Sequence, residues 1–153
     1  MNHDKKILKA YIAGPMRNIK YYNYQAFDDA YEFLKKINVE PINPHKLDFE
    51  RSGFTPLSLP EHTDWSKIPS VLNIKDIIRT DINSLLDCDF VYALIGWRES
   101  TGAFSEISTA HWANIPVIEE IRARKNTITS GLSEKNTQLD IDYVKSILEK
   151  LIN

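Results

Sequence analysis

The sequence predicts an α/β fold in which a parallel sheet carries helices on both faces. Short apolar runs alternate along the chain with longer segments of helical period. The run Phe90 to Ile95 is the most apolar and β-prone, and reads as a central strand. At 153 residues, 42% of them hydrophobic, the chain has the size of one domain that buries its own core.

The elements follow in order. Ile7 to Ala13 reads as a buried first strand, ended by the turn pair Gly14-Pro15. Asn23 to Ile37 places Phe27, Ala30, Tyr31 and Leu34 at helical spacing, with Asn23 in the capping position. Val39 to Ile42 is a second strand, stopped by Asn43-Pro44. Residues 44 to 72 hold four prolines, two histidines and no sustained period, so an irregular lid or insertion is expected over about 46–72. Asn73 caps a helix with Ile74, Ile77, Ile78, Ile82 and Leu85 on one side. After the central strand, the loop Gly96 to Ser100 leads into a helix from Thr101 to Ala113 and a strand at Pro116 to Ile118. Residues 125 to 138 read as a polar loop, and Ile141 to Ile152 as a closing amphipathic helix. Ligands of such sheets sit beyond the carboxyl ends of the strands. Those ends are Tyr11 to Met16, Asn43 to His45 and Gly96 to Ser100.

Composition excludes several classes. One cysteine, Cys88, cannot build a disulfide framework, and it reads as core packing beside the central strand. No apolar run reaches the roughly 20 residues that cross a bilayer, and no cleavage-type site follows the N-terminus. Nineteen basic and 21 acidic residues argue against a duplex-binding surface. The expectation is a cytoplasmic protein acting on a small molecule. His45, His62 and His111 lack metal-ligand spacing and read as loop or surface residues, so neither a metal nor a cofactor is expected.

Several residues stand out. Asp81 falls on the core-facing stripe of its helix, where a carboxylate must be paired, escape to water at an edge, or serve a task. Glu106 shares a small-residue face with Ala103, Ala110 and Ala113 near a helix start. It is either a routine first-turn acid or a carboxylate held at the positive end of the dipole for chemistry. Ser100, Thr101 and Gly102 form either a plain N-cap or an anion site. Gly14 and Pro15 end the first strand, where glycine permits close backbone approach. Arg17 follows, as a solvated surface cation or a fork for a phosphate. Tyr11 lies at the expected crevice, as packing or as part of a site. Trp97 is placed to stack on a planar base or to cover the sheet end.

The order of these signals resembles the nucleoside 2-deoxyribosyltransferase-like family. The similarity lies in Y-I-A-G-P-M from Tyr11, D-I-N-S-L-L-D-C-D from Asp81, and G-W-R-E-S-T-G-A-F-S-E from Gly96, within roughly residues 6 to 119. A phage- and prophage-associated branch with a G-P-M opening and a G-W-x-x-S-x-G-A loop is the nearest match. The resemblance implies a Rossmann-like (flavodoxin-like) sheet, cleavage of an N-glycosidic bond, and homo-oligomers whose subunits complete one another's sites. It places the nucleophile at Glu106, the aspartate that assists the leaving base at Asp81, and a tyrosine that orients the nucleophile at Tyr11.

Six residues before the nucleophile, the transferases carry an aspartate that binds a sugar hydroxyl; here the residue is Ser100. Serine there is similar to the nucleoside 5′-monophosphate N-glycosidases, where it contacts phosphate. A neutral hydroxyl at a helix start attracts a dianion that a carboxylate would repel. The implied activity is therefore N-glycosidic cleavage of a nucleoside 5′-monophosphate through a glycosyl-glutamate. Its alternatives are base exchange on free deoxynucleosides and a nucleotide-binding protein without turnover.

Overall fold

The computed structural model describes residues 5–17, 19–52, 73–120 and 134–152. Four parallel strands form the sheet, β1 (Lys9–Ala13), β2 (Glu40–Ile42), β3 (Phe90–Ala93) and β4 (Val117–Glu119), in the order β2-β1-β3-β4. Register places Tyr11 opposite Ile42 on one side and Val91 on the other. The chain steps outward from β1 to β2, then crosses back to β3, so the topological switch lies between β1 and β3. A crevice opens at such a point beyond the strands' carboxyl ends.

Alternate residues of the strands face opposite layers. Ala10, Ile12, Phe90 and Tyr92 point to α1 (Tyr24–Lys36) and α5 (Glu134–Ile152), where they meet Phe27, Phe33, Leu34, Val144 and Leu148. Tyr11, Ala13, Val91 and Ala93 point to α3 (Ile74–Leu86) and α4 (Thr101–Trp112), where they meet Leu85, Ile107 and Ala110. Each fully buried large apolar side chain stabilises the fold by roughly 1.5–3 kcal/mol. Cys88 packs in the second layer, as expected, and burial pushes its thiol up to about 12, so it stays protonated.

The structure corrects several expectations. Residues 44–52 are not irregular but form α2 (Pro44–Ser52). Asn43 caps it, accepting from the His45 N–H at 3.0 Å, and proline at the first helical position needs no N–H partner. The remainder of the expected lid, 53–72, lies outside the described residues, as does His62. His45 is buried rather than exposed, whereas His111 is at the surface as expected. On α3 the Asn73 cap forms, accepting from the Lys75 N–H at 2.9 Å. The buried line is narrower than the stripe suggested: Ile77, Asp81 and Leu85 are inside, while Ile74 and Ile78 are exposed. Residues 134–138, expected as loop, already belong to α5, and 125–133 lie outside the described residues.

Between β1 and α1 the backbone makes a left-handed turn, with φ of 49°, 53° and 60° at Tyr21, Tyr22 and Asn23. Each such L-residue costs about 1–2 kcal/mol, so the turn needs external ties. The Tyr22 carbonyl accepts from the His45 ring Nε2, and Asn23 Nδ2 donates to the Pro15 carbonyl at 2.9 Å. Asn23 thus occupies the cap position of α1 without making the cap bond. Burial lowers His45 to about 4, against the opposing pull of the Tyr22 carbonyl and Asp28, so the ring is neutral at pH 7 and Nε2 carries the proton.

Candidate active site

The second layer holds Tyr11, Asp81 and Glu106, the titratable side chains that the sequence singled out. Tyr11 is fully buried on β1, and its hydroxyl donates to Glu106 Oε1 at 2.8 Å across 95 residues of sequence. The pairing follows from the fold. Tyr11 points into the α3–α4 layer, and Glu106 lies five residues into α4, near the height of the central strand. Ala103 and Ala110, buried on the same helix, let α4 approach the sheet closely enough for the bond to form.

Both groups titrate abnormally. Burial pushes the Glu106 carboxyl up to about 7; the Tyr11 hydrogen bond works against this, and the charge of Asp48 adds to it. Tyr11 is held well above the ordinary tyrosine range, first by burial and then by the negative charges of Glu106, Asp81 and Asp48. Asp81 is only 7% exposed on α3, so the edge-escape reading of that residue is excluded. Asp48, 2% exposed on α2, is the carboxylate that sequence reasoning missed. Its signal was the helix start written in Asn43-Pro44: once α2 is drawn, His45 and Asp48 fall three apart on one face.

The strand-end loops pack on one another. A Cβ on Gly14 would lie 2.7 Å from Leu94 Cδ1, so the close approach that glycine permits there is to Leu94. Gly96 adopts φ 87°, the left-handed region, with the Pro15 ring 3.4 Å from where its Cβ would sit. The Gly14-Pro15 and Gly96 turns are thereby joined into one rim, and Arg17 is exposed in the turn that follows β1. Ser100 caps α4, its Oγ accepting from the Ala103 N–H at 3.3 Å. Gly102 faces open space, where an added Cβ would meet nothing closer than Ser100 Oγ at 4.0 Å. Packing therefore imposes no glycine at 102.

Trp97 is engaged on several sides. Its Nε1 donates to Glu119 Oε1 at 3.0 Å, the Arg98 guanidinium lies 4.3 Å from its ring, and Phe104 stacks at 6.1 Å. These contacts hold the ring beside the end of the sheet, and both roles read for it stay open. Phe104, exposed in the first turn of α4, extends this aromatic ledge and had no signal in the apolar period. Asp89, from the same motif as Asp81, lies at the opposite end of the sheet. It accepts from Lys6 Nζ at 2.6 Å and from the Lys9 N–H at 2.9 Å, a structural tie remote from the site.

A family model described as "Domain of unknown function (DUF4406)" matches residues 8–119, the span that carries all four strands and the Tyr11–Glu106 pair. The chain belongs to the DUF4406 family. No curated protein sequence matches it. Among solved structures, the DUF4406 chain is similar to a 2-deoxyribosyltransferase from the psychrotolerant bacterium Bacillus psychrosaccharolyticus. The TM-score is 0.51 at 17% identity, over 72% of this chain and 70% of that one. At that identity the likeness establishes a shared fold, the Rossmann-like sheet expected of 2-deoxyribosyltransferase-like proteins. No helix among the described residues is long and apolar enough to cross a membrane.

Proposed function

We propose that the protein cleaves the N-glycosidic bond of a nucleoside 5′-monophosphate, with Glu106 as nucleophile. The observation that carries this reading is the part-buried Tyr11–Glu106 hydrogen bond at 2.8 Å, with the Glu106 carboxyl pushed up to about 7. A carboxylate held in one orientation and poorly solvated is a strong nucleophile toward an oxocarbenium-like centre. Ionised Glu106 bonds to C1′ as the C1′–N bond breaks. Its electron pair leaves with the base, which takes a proton from Asp81. Water then attacks C1′, its proton returns to Asp81, and the ester electrons return to Glu106.

Ser100, the α4 N-terminus and Gly102 would receive the phosphate, with Arg17 approaching from the turn after β1. The space beside Gly102 supports this placement. Trp97 and Phe104 would cover the base. The likeness to a 2-deoxyribosyltransferase favours one second reading, in which a free base replaces water as acceptor and unphosphorylated deoxynucleosides are the substrates.

Assembly into homo-oligomers belongs to the same proposal. It is supported by the exposed apolar side chains of α3 and α4, among them Ile78, Phe104 and Trp112, the last 89% exposed. Light scattering that returned a stable monomer at active concentrations would sink it.

The deciding experiment is chromatographic. The protein is incubated with nucleosides and with their 5′-monophosphates, each with and without an added base, and free base is measured. Release from monophosphates alone is expected. Exchange on unphosphorylated nucleosides would install the transferase reading, and no release from any of them would leave a nucleotide binder.

A further inference from the structure

We propose that Glu119 is a positioning residue for recognition of the base, fixing the plane of the Trp97 ring in the turn between β3 and α4. This rests on the reading in which Trp97 covers the base of a nucleoside 5′-monophosphate. The placement starts with strand alternation. Ile118 of β4 is buried in the layer of α1 and α5, so Val117 and Glu119 turn to the layer of Tyr11, Val91 and Ala93. Glu119 ends β4 and pairs in register with Ala93, which ends β3. Its carboxylate therefore stands beside the chain where that chain leaves β3.

The contacts converge there. Glu119 Oε1 accepts from Trp97 Nε1 at 3.0 Å and from Arg98 Nη2 at 2.7 Å. Glu120 ties the start of the same turn: its Oε2 accepts from the Ile95 N–H at 3.0 Å, and its own N–H donates to the Ala93 carbonyl at 2.7 Å. The Ser100 N–H donates to the Trp97 carbonyl at 3.2 Å, which joins the turn to the cap of α4. The indole is held at its N–H edge by Glu119, with the Arg98 guanidinium 4.3 Å over the ring and Phe104 stacked at 6.1 Å. Trp97 also packs against the layer that contains Tyr11, and Phe104 precedes Glu106 on α4.

Stability does not account for this arrangement. The Arg98 and Glu119 side chains are 64% and 49% exposed, and ion pairs so open to water add little to folding. What the shared carboxylate oxygen supplies is orientation. An indole turns about two side-chain torsions, and an acceptor fixed at its N–H selects one setting of them. A ring set beforehand meets a planar base without losing that freedom on binding. The base touches the ring in the ground state and the transition state alike, so loosening the ring raises KM and spares kcat.

The test compares Glu119→Ala and Glu119→Gln with the parent protein. Base release from the monophosphate panel gives kcat and KM, and the sugar 5-phosphate left by release is titrated as a competitive inhibitor. Glu119→Ala is expected to raise KM about tenfold with kcat within about threefold, while inhibition by the sugar phosphate, which carries no base, is unchanged. Glu119→Gln keeps an acceptor oxygen for the indole and recovers most of the loss. In Trp97→Phe, which has no ring N–H, adding Glu119→Ala raises KM no further. Equal weakening of nucleotide and sugar phosphate, or an unchanged KM in Glu119→Ala, overturns the inference. Quenching of indole fluorescence by the monophosphates, with Trp97→Phe as the blank, reads the same affinity without turnover. Base release with no Trp97 signal defeats the role of Glu119 alone. A Trp97 signal that weakens about tenfold in Glu119→Ala, with no release from any monophosphate, defeats the proposed cleavage and leaves Glu119 in its role.

Discussion

The two faces of the sheet are built from the same strands and do opposite work. On β1, Ala10 and Ile12 enter a layer of Phe27, Phe33, Leu34, Val144 and Leu148, with aliphatic and aromatic side chains throughout. Their neighbours Tyr11 and Ala13 enter a layer where the apolar residues are smaller and where buried Asp81 and half-buried Glu106 sit. The first face gains stability from burial. The second gives some of it up, because a carboxylate withdrawn from water is poorly solvated in its charged form. One period-two alternation thus separates an all-apolar layer from one that carries the titratable groups of the proposed site, and the account expects a mutation's effect to follow the face it points to.

Glu106→Gln breaks the comparison most sharply. Turnover falls at least about 10³-fold, as expected when a covalent nucleophile is lost. Stability moves the other way. Glu106 takes up a proton near 7 in the folded state against about 4.5 ordinarily, so the folded form binds more protons between those values and stability falls as pH rises through that window. Glu106→Gln removes the fall and gains on the order of 1–3 kcal/mol at pH 8. Thermal melts of both proteins at pH 5 and pH 8 measure it.

Leu34→Ala is the mirror image on the other face. It removes a fully buried side chain at a cost of about 2–5 kcal/mol in denaturant unfolding, while turnover per folded molecule stays within twofold. A large loss of turnover in the folded fraction would show that the faces are coupled.

Tyr11→Phe sharpens the comparison within one strand. The lost hydrogen bond had been lowering the Glu106 pKa, so the acid limb of the rate profile moves to higher pH and turnover at pH 7 falls about 10- to 100-fold.

Asn38→Gly has the smallest effect and lies on neither face. Asn38 follows α1 in the left-handed region at φ 62° and is exposed, so glycine relieves about 0.5 kcal/mol or more in a thermal melt and leaves turnover unchanged.

The sequence made one face far more legible than the other. The apolar runs and helical periods that place β1, β3, α1 and α4 are local signals. Tyr11 and Glu106 were singled out in part by the strand-end and helix-start positions they occupy. What the period misled on was α3. That helix meets β1 and α4 along one narrow line, so spacing by four buries Ile77, Asp81 and Leu85 and leaves Ile74 and Ile78 outside. What it missed was α2. Asn43-Pro44 ends a strand and begins a helix with the same two residues, and reading only the first meaning removed Asp48 from view. A tertiary fact such as the tie from Asn23 to Pro15 had no local signature at all.

The central claim is that Glu106 forms a bond to C1′. The direct measurement is intact mass, with peptide mapping, after incubation with 2-deoxy-2-fluoroarabinosyl analogues of the monophosphates, whose fluorine slows loss of the glycosyl group. The account predicts one added fluoroglycosyl phosphate on the peptide that carries Glu106, and none in Glu106→Gln. An adduct on another residue, or base release from natural monophosphates by Glu106→Gln at the parent rate, would contradict it.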